Sequence, residues 1–147
     1  MERLPLEFFR RVWAPPHDLD AIDELMTEEY VITTGGVTIR GREAFKAWVR
    51  EFQGRVRDAE NETLEVFANA AGDRVVSRWV CRGRNGGLFG LPPDGGPVEF
   101  TGIAIWRVED GRLAECWVER AAWEAYGRLA ARTPRSPSGA SASDDRG

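Results

Sequence analysis

The stretch from Val98 to Arg120 constrains this chain more than any other, because two runs of apolar, β-branched and aromatic residues meet there at Asp110-Gly111. Gly tolerates positive φ, and Asp tolerates it better than most residues. The dipeptide therefore predicts a two-residue type I′ turn joining antiparallel strands. With Glu109 opposite Arg112, counting outward sets Trp106 against Glu115, Ala104 against Trp117 and Gly102 against Glu119.

Alternation then separates two faces. One carries Ile103, Ile105, Ala114, Cys116 and Val118, an apolar surface for a core or a subunit contact. The other carries Phe100, Gly102, Ala104, Trp106, Leu113, Glu115, Trp117 and Glu119. Small residues beside indoles leave room on that second face, and Glu119 across from a glycine predicts a pocket with one acid inside. Otherwise Glu119 is a solvated strand end and Trp117 ordinary core.

At 147 residues and 42% hydrophobic content, the chain has material for one domain and one core. We expect that domain over residues 1–131 and a disordered tail over 132–147, where small polar residues dominate. Pro5 to Trp13 and Asp18 to Met26 predict two helices. Tyr30–Thr34 and Val37–Ile39 around Gly35-Gly36 predict a short hairpin. Gly41 to Gln53 is the clearest amphipathic helix, with Phe45, Trp48, Val49 and Phe52 at i, i+3, i+4 and i+7. That stripe is a core face that can also wall a cavity.

Strands follow at Glu62–Ala68 and Arg74–Arg82, and Ala122–Ala131 returns to helix. In Arg74–Arg82 either alternate set can face inward, so Arg78 points into a pocket or extends to solvent. Tyr30 offers a proton donor at the rim of the short hairpin, or packs as an ordinary strand tyrosine. The loop Gly83–Pro97 presents Leu88, Phe89 and Leu91, tips suited to folding over the open end of a sheet. His17, beside Pro16 at the start of the second helix, is expected to serve in local capping.

Several function classes are excluded. A net charge of −4, with basic residues dispersed among acids, leaves no footprint for nucleic acid. No apolar run approaches the length needed to span a bilayer, and no membrane partner is expected. MERLPLEFFRR lacks a signal-peptide apolar region, and Cys81 and Cys116 fall singly in strands, so reduced thiols in the cytoplasm are expected. A single histidine excludes a multi-histidine metal site, and no glycine-rich loop opens a helix as a nucleotide site requires. We expect no cofactor.

Helix, helix, short hairpin, helix, four long strands and a closing helix resemble the SnoaL-like branch of the nuclear transport factor 2-like superfamily. The resemblance covers about residues 5 to 130. It is carried by GGLFGLPPDGGPVEF, similar to the family's G-x-F-x-G-x-P-P-x-G stretch, and by GIAIWRVEDGRLAECW, similar to its strand-turn-strand signature. It implies an α+β fold: a cone-shaped α+β barrel, its curved mixed or antiparallel sheet wrapped around N-terminal helices with a deep pocket. Homodimers are common in the superfamily.

The resemblance also implies chemistry. Many SnoaL-like cyclases carry an Asp where this chain has Ala104, a His where it has Cys116 and an Asp where it has Ala121. Glu119 instead matches an acid of limonene-epoxide-hydrolase-like members, whose earlier-strand Arg resembles Arg78; their second Asp is Val80 here. The expected function is a cofactor-independent cyclase or isomerase on an apolar polyketide- or terpenoid-like molecule, with epoxide opening as one route. Glu119 would be the general acid or base, Arg78 an oxyanion stabiliser and Tyr30 a second donor. Trp106, Trp117, Ala104, Gly102, Phe100, Trp48 and Phe89 would hold the substrate. The alternative is a non-catalytic binding protein for an apolar small molecule.

Overall fold

A computed structural model describes residues 1–132. Helix α1 (Arg3–Phe8) runs into a π-helical turn, Phe9–Trp13, closed by the Ala14 amide donating to the Phe9 carbonyl at 3.0 Å. The wider turn buries Phe8, Phe9, Val12 and Trp13 together. Helix α2 is only Ala21–Leu25, shorter than its apolar spacing predicts. Asp18 Oδ1 accepts the Asp20 amide ahead of it, while His17 Nε2 bonds the Ala59 carbonyl at 3.0 Å, so the histidine ties the N-terminal segment to a strand and caps nothing.

Strands β1 (Met26–Thr34) and β2 (Val37–Arg40) form the expected hairpin around Gly35 and Gly36, both at positive φ. Helix α3 spans Arg42–Arg55, with Phe45 and Val49 buried and Trp48 and Phe52 half-buried against the core. Strands β3 (Val56–Ala68), β4 (Arg74–Asn85), β5 (Pro97–Glu109) and β6 (Arg112–Arg120) follow, and α4 (Ala122–Arg132) ends the described chain. Strand β3 begins well before Glu62, because Val56 and Ala59 are buried and anchor the segment that composition alone assigns to a connection. The tail expected from 132 onward falls outside the described residues, except Arg132, which closes α4.

The six strands make one mixed sheet in the order β2-β1-β6-β5-β4-β3, with β1 and β6 parallel and every other pair antiparallel. The sheet is curved and unclosed, with α1, the π-helical turn and α3 packed on its inner side. This is the α+β architecture expected, in its mixed form. No helix among the described residues is long and apolar enough to cross a membrane.

The central hairpin keeps its turn but not its register. Asp110 and Gly111 have φ of 50° and 75°, and Glu109 pairs with Arg112. Val108 then pairs with Leu113 and Arg107 with Glu115, which leaves Ala114 as an extra residue in β6. Such a bulge exchanges the faces of the β6 residues beyond it. Glu119 therefore lies opposite Ile103, Trp117 opposite Ile105, and Arg120 opposite Gly102.

Candidate active site

The inner face of the sheet is built in rows. Val75, Trp106, Cys116 and Ile32 occupy one, Ser77, Ala104, Val118 and Thr34 the next, then Trp79, Gly102 and Arg120, then Asn61, Cys81 and Phe100. These rows, with Phe8, Phe9 and Trp13 from the N-terminal segment and Phe45, Trp48 and Phe52 from α3, surround a cavity of about 30 Å³. That is room for one or two water molecules. A larger ligand requires its walls to part, and the half-buried Trp48 and Phe52 stand at the exposed side.

Arg120 is the one charged side chain lining the cavity among the described residues. Its guanidinium carbon lies 5.3 Å from the Trp48 ring centroid, 5.6 Å from Phe52 and 5.7 Å from Trp79. Nη1 donates to Thr34 Oγ1. No carboxylate among the described residues forms an ion pair with it. Burial pushes its pKa down, yet an arginine keeps its charge in a protein. Ring faces supply part of what water would, since their quadrupoles attract a cation.

The remaining polar groups are neutral. Burial pushes the Cys81 and Cys116 thiols up to about 12, so both are protonated at neutral pH. The Trp106 indole N–H donates to Ser77 Oγ at 2.9 Å. Trp79 Nε1 and Asn61 Oδ1 are buried without a hydrogen-bond partner. No Asp, Glu or His lines the cavity among the described residues.

Of the residues singled out from sequence to hold a substrate, Phe100, Ala104, Trp106 and Trp48 line the cavity. Gly102 stands on the inner face, but the space above it is filled by the Trp79 indole, whose ring atoms lie 2.3 and 2.4 Å from where a Cβ would be. Glu119 is exposed on the outer face and does not line this cavity, and Trp117 shares that face, 38% exposed. Arg78 is also outside, paired with Glu65 at 3.3 Å, because Val75, Ser77, Trp79 and Cys81 take the inner side of β4. Tyr30 is fully buried against Phe45, 4.8 Å between ring centroids, and its hydroxyl reaches no rim. Burial pushes its pKa well up. Phe89 packs on Tyr126 of α4 and not on the cavity.

Arg120 is the functional candidate that alternation missed. A signal for it exists: the unbulged register sets Glu115 against the Trp106 indole, whereas the bulged one sets it against Arg107, with an ion pair at 3.4 Å.

The SnoaL-like domain profile matches residues 6–116. The chain belongs to the SnoaL-like family. Similar solved structures include a proposed SnoaL-like polyketide cyclase from Jannaschia sp. CCS1, at 20% identity and a TM-score of 0.78 over 90% of this chain and 92% of that one. IdmH, a proposed polyketide cyclase from Streptomyces antibioticus, is 24% identical with a TM-score of 0.75 over 87% and 96%. An LEH-like epoxide hydrolase from M. tuberculosis is 22% identical with a TM-score of 0.67 over 86% of each chain. At these identities the likeness shows the fold. Comparison with curated proteins returns no match.

Proposed function

We propose that this SnoaL-like chain is a cofactor-independent cyclase or isomerase for an apolar polyketide- or terpenoid-like molecule, acting through oxyanion stabilisation at Arg120. The observation that carries this reading is a half-buried guanidinium, without a carboxylate partner among the described residues, held over three aromatic rings. When a carbonyl substrate enolises, or its carbonyl is attacked by an enolate carbon in ring closure, negative charge collects on one oxygen. A fixed cation in a site poor in water stabilises that charge more than it stabilises the neutral carbonyl. Water takes or returns the proton, because the thiols lining the cavity are too weakly acidic for the task. Epoxide opening by an activated water is less well supported, since it calls for a carboxylate at the cavity.

The absence of a carboxylate or imidazole from the lining, among the described residues, also favours a second reading, a binding protein for an apolar anion. Deuterium exchange at C1 of 2-tetralone, followed by NMR, separates the two, alongside calorimetric binding of 2-naphthoate. Catalysis predicts exchange faster with the wild type than with Arg120→Met. Arg120-dependent binding of 2-naphthoate without accelerated exchange would leave the binding protein.

The outer face supports a homodimer as a further part of this proposal. Phe67, Ile103, Ile105 and Trp117 are 50, 50, 44 and 38% exposed there, and Phe67, Val76, Ile105 and Trp117 follow one another across four strands. Arg78 and Glu119 flank Ile103 on opposite sides in one row. A two-fold axis parallel to β5 would set Arg78 over the partner's Glu119, the self-complementarity an isologous contact requires.

A further inference from the structure

Two indoles on neighbouring strands face the same cavity and are treated differently. Trp106 gives its N–H to Ser77 Oγ, a residue with no exposed surface. Trp79, 4% exposed, finds no acceptor for its N–H among the described residues. A buried donor without a partner is costly, and in native proteins such groups are few. Of the other buried polar atoms left without a partner among the described residues, the one that lines this cavity is Asn61 Oδ1, on β3. Asn61 pairs with Cys81, two residues along the inner face of β4 from Trp79, so the two residues are diagonal neighbours in the same wall. Their oxygen-seeking N–H and hydrogen-seeking carbonyl together match a hydroxyl group, which both accepts and donates.

The hydroxyl site is separated from the cation. Asn61 stands on β3 and Arg120 on β6, with β4 and β5 between them. Neighbouring strands lie about 4.8 Å apart, so the two backbones are separated by roughly 14 Å. The Arg120 side chain shortens that span by reaching over Gly102 toward the Trp79 ring. The walls between are aromatic and flat-faced.

We infer that the ligand of this site is a planar apolar molecule with an ionised oxygen at one edge and a neutral hydroxyl at the opposite edge, the hydroxyl accepting from Trp79 Nε1–H and donating to Asn61 Oδ1. This rests on the Arg120 site proposed above and narrows its substrate class to hydroxylated aromatic or enolic anions. Among them, the distance between the two oxygens selects.

Calorimetry with 6-hydroxy-2-naphthoate and 2-naphthoate tests it, since the two differ only in a hydroxyl remote from the carboxylate. On the wild-type chain the hydroxylated probe is expected to bind about ten-fold tighter, the effect of one well-made hydrogen-bonded pair in a buried site. Asn61→Leu and Trp79→Phe should each shrink that preference while 2-naphthoate still binds, and Arg120→Met should weaken both probes. Equal wild-type affinities for the two, with Arg120→Met still weakening both, overturn the hydroxyl site and leave the Arg120 reading standing. A preference that survives both Asn61→Leu and Trp79→Phe overturns it as well. Wild-type protein that binds neither probe overturns the Arg120 reading and this inference with it. The wild-type comparison needs no variant to fold.

Discussion

Arg120 stands directly across the β5–β6 hairpin from Gly102, and Trp79 faces the same glycine from β4. The indole occupies the space above the bare backbone and its ring centroid lies 5.7 Å from the guanidinium carbon, so one residue without a Cβ lets two large side chains share a row. Gly102→Ala would place a methyl 2.3 to 2.8 Å from three indole atoms. Such overpacking is expected to cost about 1–3 kcal/mol and to displace Trp79 from Arg120. Urea denaturation measures the first effect and a weakened response to 2-naphthoate the second. A variant as stable as wild type would show that the indole has another place to go.

Ser77→Ala addresses the satisfied indole. Its hydroxyl accepts the Trp106 N–H at 2.9 Å in a fully buried position, so its removal strands a buried donor. The expected loss is about 1–3 kcal/mol in chemical denaturation, more than most surface substitutions give. Trp106→Phe in the Ser77→Ala background should add less than it does alone, because the two residues share one bond.

Most of the fold was legible in the sequence, and the site was not, for a single physical reason. The Asp110-Gly111 turn, the Gly35-Gly36 hairpin and the stripe of α3 follow from local chemistry, and all three occur where their residues place them. Phe100, Ala104 and Trp106 stand on β5, which carries no extra residue, and face inward as alternation requires. Beyond Ala114, one extra residue in β6 inverts the assignment, so Glu119 and Trp117 exchange places with Arg120, Val118 and Cys116. Alternation carries no mark of a bulge; only the Arg107–Glu115 pair, a cross-strand charge match, betrays it. The inward choice for β4 was open from sequence, and Trp79 and Ser77 decide it because each has a partner surface only on the inner side.

Glu119→Gln and Arg78→Ala test that inversion directly. Both side chains stand on the outer face, Arg78 in an exposed pair with Glu65 that contributes little. Their affinities for 2-naphthoate should stay within about two-fold of wild type, against about ten-fold or more lost in Arg120→Met. An equal loss in Glu119→Gln would return the acid to the site.

Ile105→Lys tests the dimer. Ile105 lies at the centre of the exposed apolar row and is 44% exposed, so a lysine there costs the monomer little while burying a charge in any face-to-face contact. Sedimentation velocity is expected to give a wild-type dimer and a monomeric variant of unchanged stability. A wild-type protein that is monomeric at every concentration overturns the contact.

The two cavity thiols give the fold an alkaline limit. Cys81 and Cys116 are pushed up to about 12 by burial, against an ordinary value near 8.5 in the unfolded chain. Between these values the unfolded state has released protons that the folded state still holds. Stability is therefore fully present below about pH 8.5 and falls as pH rises toward 12, by up to about 1.4 kcal/mol per thiol for each pH unit. Tyr30, pushed up by the same burial, adds to the decline above its ordinary value of about 10. Denaturation midpoints measured at intervals from pH 7 to pH 11 should be level at first and then descend. Cys116→Ala should lower the level part, because it removes a buried side chain, and make the descent shallower, because one titrating group is gone. A descent of unchanged slope in that variant would place the alkaline limit elsewhere in the chain.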